Sequence, residues 1–548
     1  MLRARVLWLA LAIVPVAACA GANKQPGSVS SISVEYEDND AKPNAKAGAA
    51  STEGLAYWKD KQNLLKAPPP PQAAALELPK VERWTLKNGL QIIVVPRKDL
   101  PVVSFGVAIR AGGYDEDKST TLGVSDFTAA MLRKGTDGKG KQKRSADDIS
   151  NAIDFVGGSL DAGAGLESSS ASCSVVAKDT HLCLELLSDI LLHPAFPESE
   201  MAEVREQMMA GLAARFDSPY ELGQAHFDNQ LFGEKNPHGW VLEEGDVQKI
   251  TRDKLVAFWK TFYRPNNAIL AIAGDVDPAR LRGDVERAFG KWEKADVPAR
   301  PAFKMAALKS TRVLIVDKPD LTQSTILLGH RGLRHADPMW FAATLMNYVL
   351  GGSDFSSRLM TDVRSKRGLT YGISSSYGAS LYDGAFQVVA STKNENVWQA
   401  LLATVNQIRK MKNDGPTADE LAKGKGYYAG SYPFELQTAS SVASGIVAAE
   451  LHGLGLEYVQ NFALKMAAVD DNQAKEAAGT LLDPDNLLVV VVGKGDAIEP
   501  QIAPTGLRYE RIPFKSPISR ATRSHAHPST PGAPPSTPSP SAPPPSAP

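Results

Sequence analysis

The chain has 548 residues, and 43% of them are hydrophobic, which is enough for two or more domains of ~100 to 200 residues with substantial cores. Against 61 Asp and Glu stand 60 Lys and Arg, a formal net charge of -1, so no global charge bias points to nucleic acid or to an acidic surface as a partner. No Walker-type phosphate loop and no paired CxxC motif occurs, and the run Ser374, Ser375, Ser376 shows no nucleophile-elbow pattern.

At the N-terminus Arg3 and Arg5 precede an apolar run from Val6 to Val16 that leads into Val16-Ala17-Ala18-Cys19. The run is well below the ~20 residues that a spanning helix needs. It is similar to a bacterial lipoprotein signal over residues 1–19, with Cys19 lipidated as the first mature residue; an ordinary secretory signal and a short anchor are the alternatives. No aspartate follows Cys19. The expectation is an outer-membrane lipoprotein of the cell envelope that faces the periplasm. Residues 20–79 are rich in Ala, Pro, Ser and Lys and suit a flexible tether.

The apolar stretches Ile92 to Val95 and Val102 to Ile109 read as strands, and Val124 to Leu132 reads as a helix. That helix lies in Gly123-Val124-Ser125-Asp126-Phe127-Thr128-Ala129-Ala130-Met131-Leu132-Arg133-Lys134-Gly135-Thr136. The segment resembles the zinc helix of the insulinase-like (pitrilysin-type) metallopeptidases, Gly-Leu-Ala-His-Phe-Leu-Glu-His-Met-Leu-Phe-Lys-Gly-Thr, with the inverted signature HxxEH at its centre. Positions i, i+3 and i+4 share one helix face, so two imidazoles can bind one zinc while the glutamate activates its water. Here Asp126, Ala129 and Ala130 occupy those positions. Alanine can do neither job, and one aspartate falls short of the roughly three protein ligands of a catalytic zinc. The family's remaining ligand, a glutamate on a later helix, aligns with Gly211, and a supporting glutamate aligns with Val204. Glu203 and Glu206 lie near enough for a gap to alter that match. The resemblance implies the family fold without the family's metal in this chain.

Cys173 and Cys183 remain once Cys19 is set aside. A disulfide and two buried free thiols are both open readings. Ser168 to Val176 alternates like a strand.

The chain also repeats itself. Pro265, Asn267 and Gly274 match Pro484, Asn486 and Gly493 at an offset of 219, and Pro197, Ala210 and Gly211 match Pro416, Ala429 and Gly430 at that same offset. Strands at Val313 to Val316, Ser324 to Leu328 and Gly384 to Ser391, with a helix at Trp340 to Leu350, repeat the order of the first half. The expected fold is α+β: two homologous α/β-roll halves, 80–295 and 308–513, each a mainly antiparallel sheet with helices packed on one face.

In the second half Val363-Arg364-Ser-Lys-Arg-Gly-Leu-Thr-Tyr371-Gly372 resembles the segment that faces the zinc in the family. There an arginine and, seven residues later, a tyrosine hold the scissile peptide and stabilise the developing oxyanion. Arg364 and Tyr371 fit that spacing, and a guanidinium and a phenol are both competent donors to such an oxygen. Gly351 and Gly352 stand where the substrate-binding subunit of mitochondrial processing peptidase has a longer glycine-rich loop; a helix-terminating turn is the more economical reading. His330 and His335 read as part of a solvated loop. Residues 516–548, rich in Pro, Ser and Ala, suit a solvated tail.

Some bacterial members of the family divide the work between an HxxEH chain and an Arg/Tyr chain. The resemblance therefore implies a non-zinc subunit that binds no cofactor itself, paired with a homologous HxxEH-bearing subunit that holds zinc, and acting on peptides or unfolded segments. A non-enzymatic binding or scaffold protein and a peptidase with a relocated metal site are the alternatives.

Overall fold

The computed structural model describes residues 73–138, 143–301, 303, 308–382 and 384–519. The signal segment with Cys19, most of the tether and nearly all of the tail lie outside the described residues.

Runs of consecutive apolar residues, rather than alternating ones, mark strands buried on both faces, and these runs form the centres of two six-stranded sheets. The first contains β1 (Glu82–Thr85), β2 (Gln91–Pro96), β3 (Val102–Ile109), β4 (Ser159–Ala164), β5 (Ser169–Val176) and β6 (Ala268–Gly274), in the order β1-β2-β6-β3-β5-β4. The second contains β7 (Arg312–Asp317), β8 (Gln323–Arg331), β9 (Gly372–Tyr377), β10 (Ala385–Lys393), β11 (Leu488–Gly493) and β12 (Arg508–Pro513), in the order β12-β7-β11-β8-β10-β9. The two orders are one topology written twice. In each, a parallel pairing, β2 with β6 or β7 with β11, adjoins an antiparallel neighbour, β3 or β8. The glycines 219 residues apart close equivalent rungs, Gly274 opposite Pro96 and Gly493 opposite Asp317. Only the outer edge differs: β1 adds antiparallel from the N-terminal side, whereas β12 adds parallel from the C-terminal side.

Each sheet carries the helices of its own half on one face. In the first half α1 (Val124–Met131), α2 (Thr180–Leu192) and α3 (Glu198–Ala214) pack Val124, Phe127, Met131, Leu187 and Val204 against Ile92, Val94, Phe105 and Ile272. Cys173 on β5 and Cys183 on α2 form a disulfide with Cα atoms 5.7 Å apart, which decides the question that the sequence leaves open.

The second face of each sheet is covered by a helix from the other half. Helix α4 (Pro219–Phe232) lays Leu222, Phe227 and Leu231 on Leu314, Val316, Leu327 and Val490 of the second sheet. In the second half, α5 (Trp340–Asn347) and α6 (Ala418–Glu435) precede α7 (Ala439–Leu451), whose Val442, Ala443, Ile446 and Val447 lie on Ile93, Val95, Ile269 and Ala271 of the first. The 219-residue offset carries α4 almost onto α7, so the exchange is itself part of the repeat. Alternate residues of a strand face opposite sides, and these strands bury both.

Two helices end differently from the sequence expectation. Helix α1 gives way to a 3-10 turn at Leu132–Lys134, and α5 stops at Asn347 and widens into a π-helical turn at Tyr348–Gly352. His330 is not in a solvated loop. It lies on β8 with 5% of its surface exposed, accepting the Asp483 N–H at Nε2 and donating from Nδ1 to the Arg331 carbonyl. The apolar run before it carries the strand further than expected.

Candidate functional site

Helix α1 begins at Gly123, whose φ of 84° is left-handed and costs a glycine little. A Cβ there would also lie 2.7 Å from Leu242 Cδ1. This part of the motif is therefore required by backbone geometry whether or not a metal is bound. The exposed N–H groups of the first turn are taken by Glu116, which accepts from Gly123 N and Ser125 N at 2.8 Å each and from the Ser125 hydroxyl. Burial still pushes the Glu116 carboxyl up to about 7, outweighing those hydrogen bonds.

On this helix Asp126 keeps accessible surface but is ringed by protein, and the resulting loss of hydration pushes its carboxyl up to about 6. Ala129 is fully enclosed and Ala130 is partly enclosed. The space that a glutamate would need at 129 is closed as well as its chemistry being absent. Gly211 lies near the end of α3, and Val204 is buried in the first core. Glu203 faces Lys134 at 3.0 Å, and Glu206 is exposed. Among the described residues no group of three or more His, Cys, Asp or Glu side chains is placed to hold a metal ion. The residues at the zinc positions do not fit zinc.

The second half keeps its polar groups available. A π-helical segment, Met360–Lys366, carries Arg364, and Tyr371 stands at the entrance to β9. Widened turns of this kind are frequent at functional sites. Three arginines lie close together here. Arg358 pairs with Glu420 at 2.6 Å and Arg367 pairs with Asp362 at 3.0 Å, whereas no carboxylate among the described residues pairs with Arg364. Its guanidinium lies over the ring of Phe355, 5.3 Å from the centroid. Tyr371 leaves 80% of its surface exposed.

Gly351 is buried where β9 crosses the π-helical turn. A Cβ on it would meet Ser375 Oγ at 2.5 Å and Ser375 N at 2.7 Å, and Asn347 fastens the same crossing through Ser375 O at 3.1 Å. Gly352 is exposed at the end of the turn. Gly351 thus allows close packing, and Gly352 borders the open surface. The guanidinium of Arg358 holds Glu420 well below the usual carboxylate range, at about 2, and so ties the loop to α6.

Phe355 and Glu116 escaped the sequence reading. Phe355 follows the glycine pair within a short polar loop, with no periodicity to mark it. Glu116 precedes the motif, and its contact with the helix start arises from a turn.

Similarity to known proteins agrees with this geometry. Residues 92–220 match the family described as insulinase (peptidase family M16), and residues 249–427 match the peptidase M16 inactive domain; together they span more than half of the chain. An uncharacterized zinc protease of Streptomyces coelicolor is 29% identical over 410 residues, covering 73% of this chain and 87% of its own length. Another from Bacillus subtilis is 27% identical over 369 residues, covering 66% and 86%. Among solved structures, a peptidase M16 inactive domain from Pseudomonas fluorescens matches with a TM-score of 0.70 at 24% identity, over 76% of this chain and 98% of that one. A protease from Helicobacter pylori matches with a TM-score of 0.68 at 22% identity, over 76% and 100%. The structural likenesses speak for the fold, and with the family matches they lead to one conclusion: the chain belongs to the insulinase-like peptidase family M16, as a non-zinc member.

Proposed function

We propose that this chain is the substrate-binding, oxyanion-stabilising subunit of an envelope-located insulinase-like peptidase whose zinc is carried by a homologous HxxEH-bearing partner. The observation that carries the reading is Arg364: the arginines on either side of it are neutralised by carboxylates, while its own donors are left for something else. A guanidinium offers five N–H donors and accepts nothing. It is therefore a fixed donor toward a carbonyl oxygen, strongest as that oxygen gains charge. The exposed Tyr371 phenol supplies a second donor from the same segment. Gly352 borders the path of the peptide, and Gly351 keeps the turn close to β9. The disulfide between Cys173 and Cys183 suits an oxidising compartment, and lipidation at Cys19 would hold the chain at the outer membrane, facing the periplasm.

The test is gentle purification of the tagged full-length protein from its native envelope, with mass spectrometric identification of whatever co-purifies in near-equal amount. A partner with an intact HxxEH helix is the expected result. Repeated recovery without one, under conditions that keep other envelope complexes intact, overturns the two-chain reading and favours a stand-alone binding protein.

A further inference from the structure

Phe355 presents 73% of its surface to solvent beside the candidate site. The frame around it is well tied. Ser353 N–H donates to the Tyr348 carbonyl at 3.0 Å, Ser356 bonds Ser353 through their hydroxyls at 3.1 Å, and buried Ser357 accepts the Met360 N–H at 3.2 Å. Arg358 then fastens the end of the loop to Glu420 and to the Gly415 carbonyl. A ring held out on such a frame gives up little conformational freedom when something binds to it.

The ring already carries one group, the Arg364 guanidinium. A guanidinium held over an aromatic face keeps N–H groups at its rim that can donate. The remaining exposed ring surface is apolar. We infer, resting on the proposed role of Arg364, that Phe355 is the substrate-selecting residue of this site. Its ring positions the guanidinium and receives an apolar or aromatic side chain of an extended peptide next to the carbonyl that Arg364 holds. The substrate class is thus unfolded segments rich in apolar side chains.

The experiment measures binding of fluorescein-labelled, unstructured Gly/Ser peptides bearing a single central Phe, Leu or Ala to the full-length protein by fluorescence anisotropy. The wild type is expected to bind the Phe and Leu peptides about tenfold more tightly than the Ala peptide. Phe355→Ala is expected to bring the Phe, Leu and Ala peptides to within about twofold of one another, and Phe355→Trp to restore the preference. Arg364→Ala is expected to weaken all peptides alike. A preference that survives in Phe355→Ala, with an unchanged thermal midpoint, overturns the inference, and the role of Arg364 stands if Arg364→Ala still weakens every peptide. Binding untouched by Arg364→Ala overturns the underlying role of Arg364 instead. If the wild type binds none of the peptides, both fall.

Discussion

The two halves share one topology, yet at the equivalent helix ends they have gone opposite ways. In the first half α1 is largely covered, with Asp126 still reaching the surface: Ala129 has no exposed surface, Glu116 occupies the free N–H groups, and Cys173–Cys183 joins the sheet to the neighbouring helix. In the second half the region after α5 is opened by two π-helical segments and leaves Arg364 without a carboxylate partner among the described residues and Tyr371 exposed. The same scaffold thus supports a closed structural end and an open chemical one. What distinguishes them is how far the side chains at each end are covered: Ala129 is fully buried, whereas Phe355 and Tyr371 are open to solvent.

The sharpest way to break this comparison is at the open end. In a reconstituted complex with a zinc-bearing partner, Arg364→Ala is expected to lower kcat by roughly 100- to 1,000-fold and Tyr371→Phe by a smaller factor, since each removes an oxyanion donor. Asp126→Ala, at the closed end, is expected to change kcat by less than about twofold, because this residue supplies no donor to that oxygen. Steady-state kinetics on complexes shown to be intact by gel filtration decide it, and equal losses at the two ends would erase the distinction.

At the closed end itself, Ala129→Glu is expected to destabilise the chain by about 3 kcal/mol in denaturant unfolding, because it places a carboxylate where the structure has no room or partner for one. A neutral result would mean that the position of the family's glutamate is still open. Reduction of Cys173–Cys183, or its replacement by two serines, is expected to cost about 2 to 3 kcal/mol through the restored entropy of the short unfolded loop. Unfolding curves with and without reductant measure it.

The smallest effect concerns pH. The Glu116 carboxyl is raised to about 7 in the folded chain, while in the unfolded chain it titrates near ~4.3. Between those values the folded state holds a proton that the unfolded state has released. Stability from this group is therefore full below the unfolded value and is lost as pH rises through about 7. Glu116→Gln cannot titrate, so the wild type should lose about 1 to 3 kcal/mol relative to that variant between pH 5 and pH 8. Parallel unfolding curves for the two proteins across that range would expose a flat difference, which would mean that Glu116 is charged in the folded state.

Much of the fold was legible in local pattern. The apolar runs at Ile92 and Val313, the 219-residue offset and the loss of the HxxEH residues at Asp126, Ala129 and Ala130 are all written in residue order, because burial on both faces and motif spacing act over a few residues. Arg364 and Tyr371 were singled out by the resemblance of the surrounding segment to the family's Arg/Tyr segment. The availability of Arg364 was not legible there, because it depends on which carboxylates reach Arg358 and Arg367, and Glu420 comes from a helix some sixty residues away.

By itself the sequence determined the duplicated halves, the family to which they point and the absence of the HxxEH signature. Only the tertiary structure decided that each half covers the other's sheet, that Cys173 pairs with Cys183, that Glu116 caps the former zinc helix and that Phe355 carries Arg364 in the open. The physical reason is the range of the forces involved: periodicity and turn chemistry are set by neighbours along the chain, whereas burial, pairing and availability depend on groups that only folding brings together.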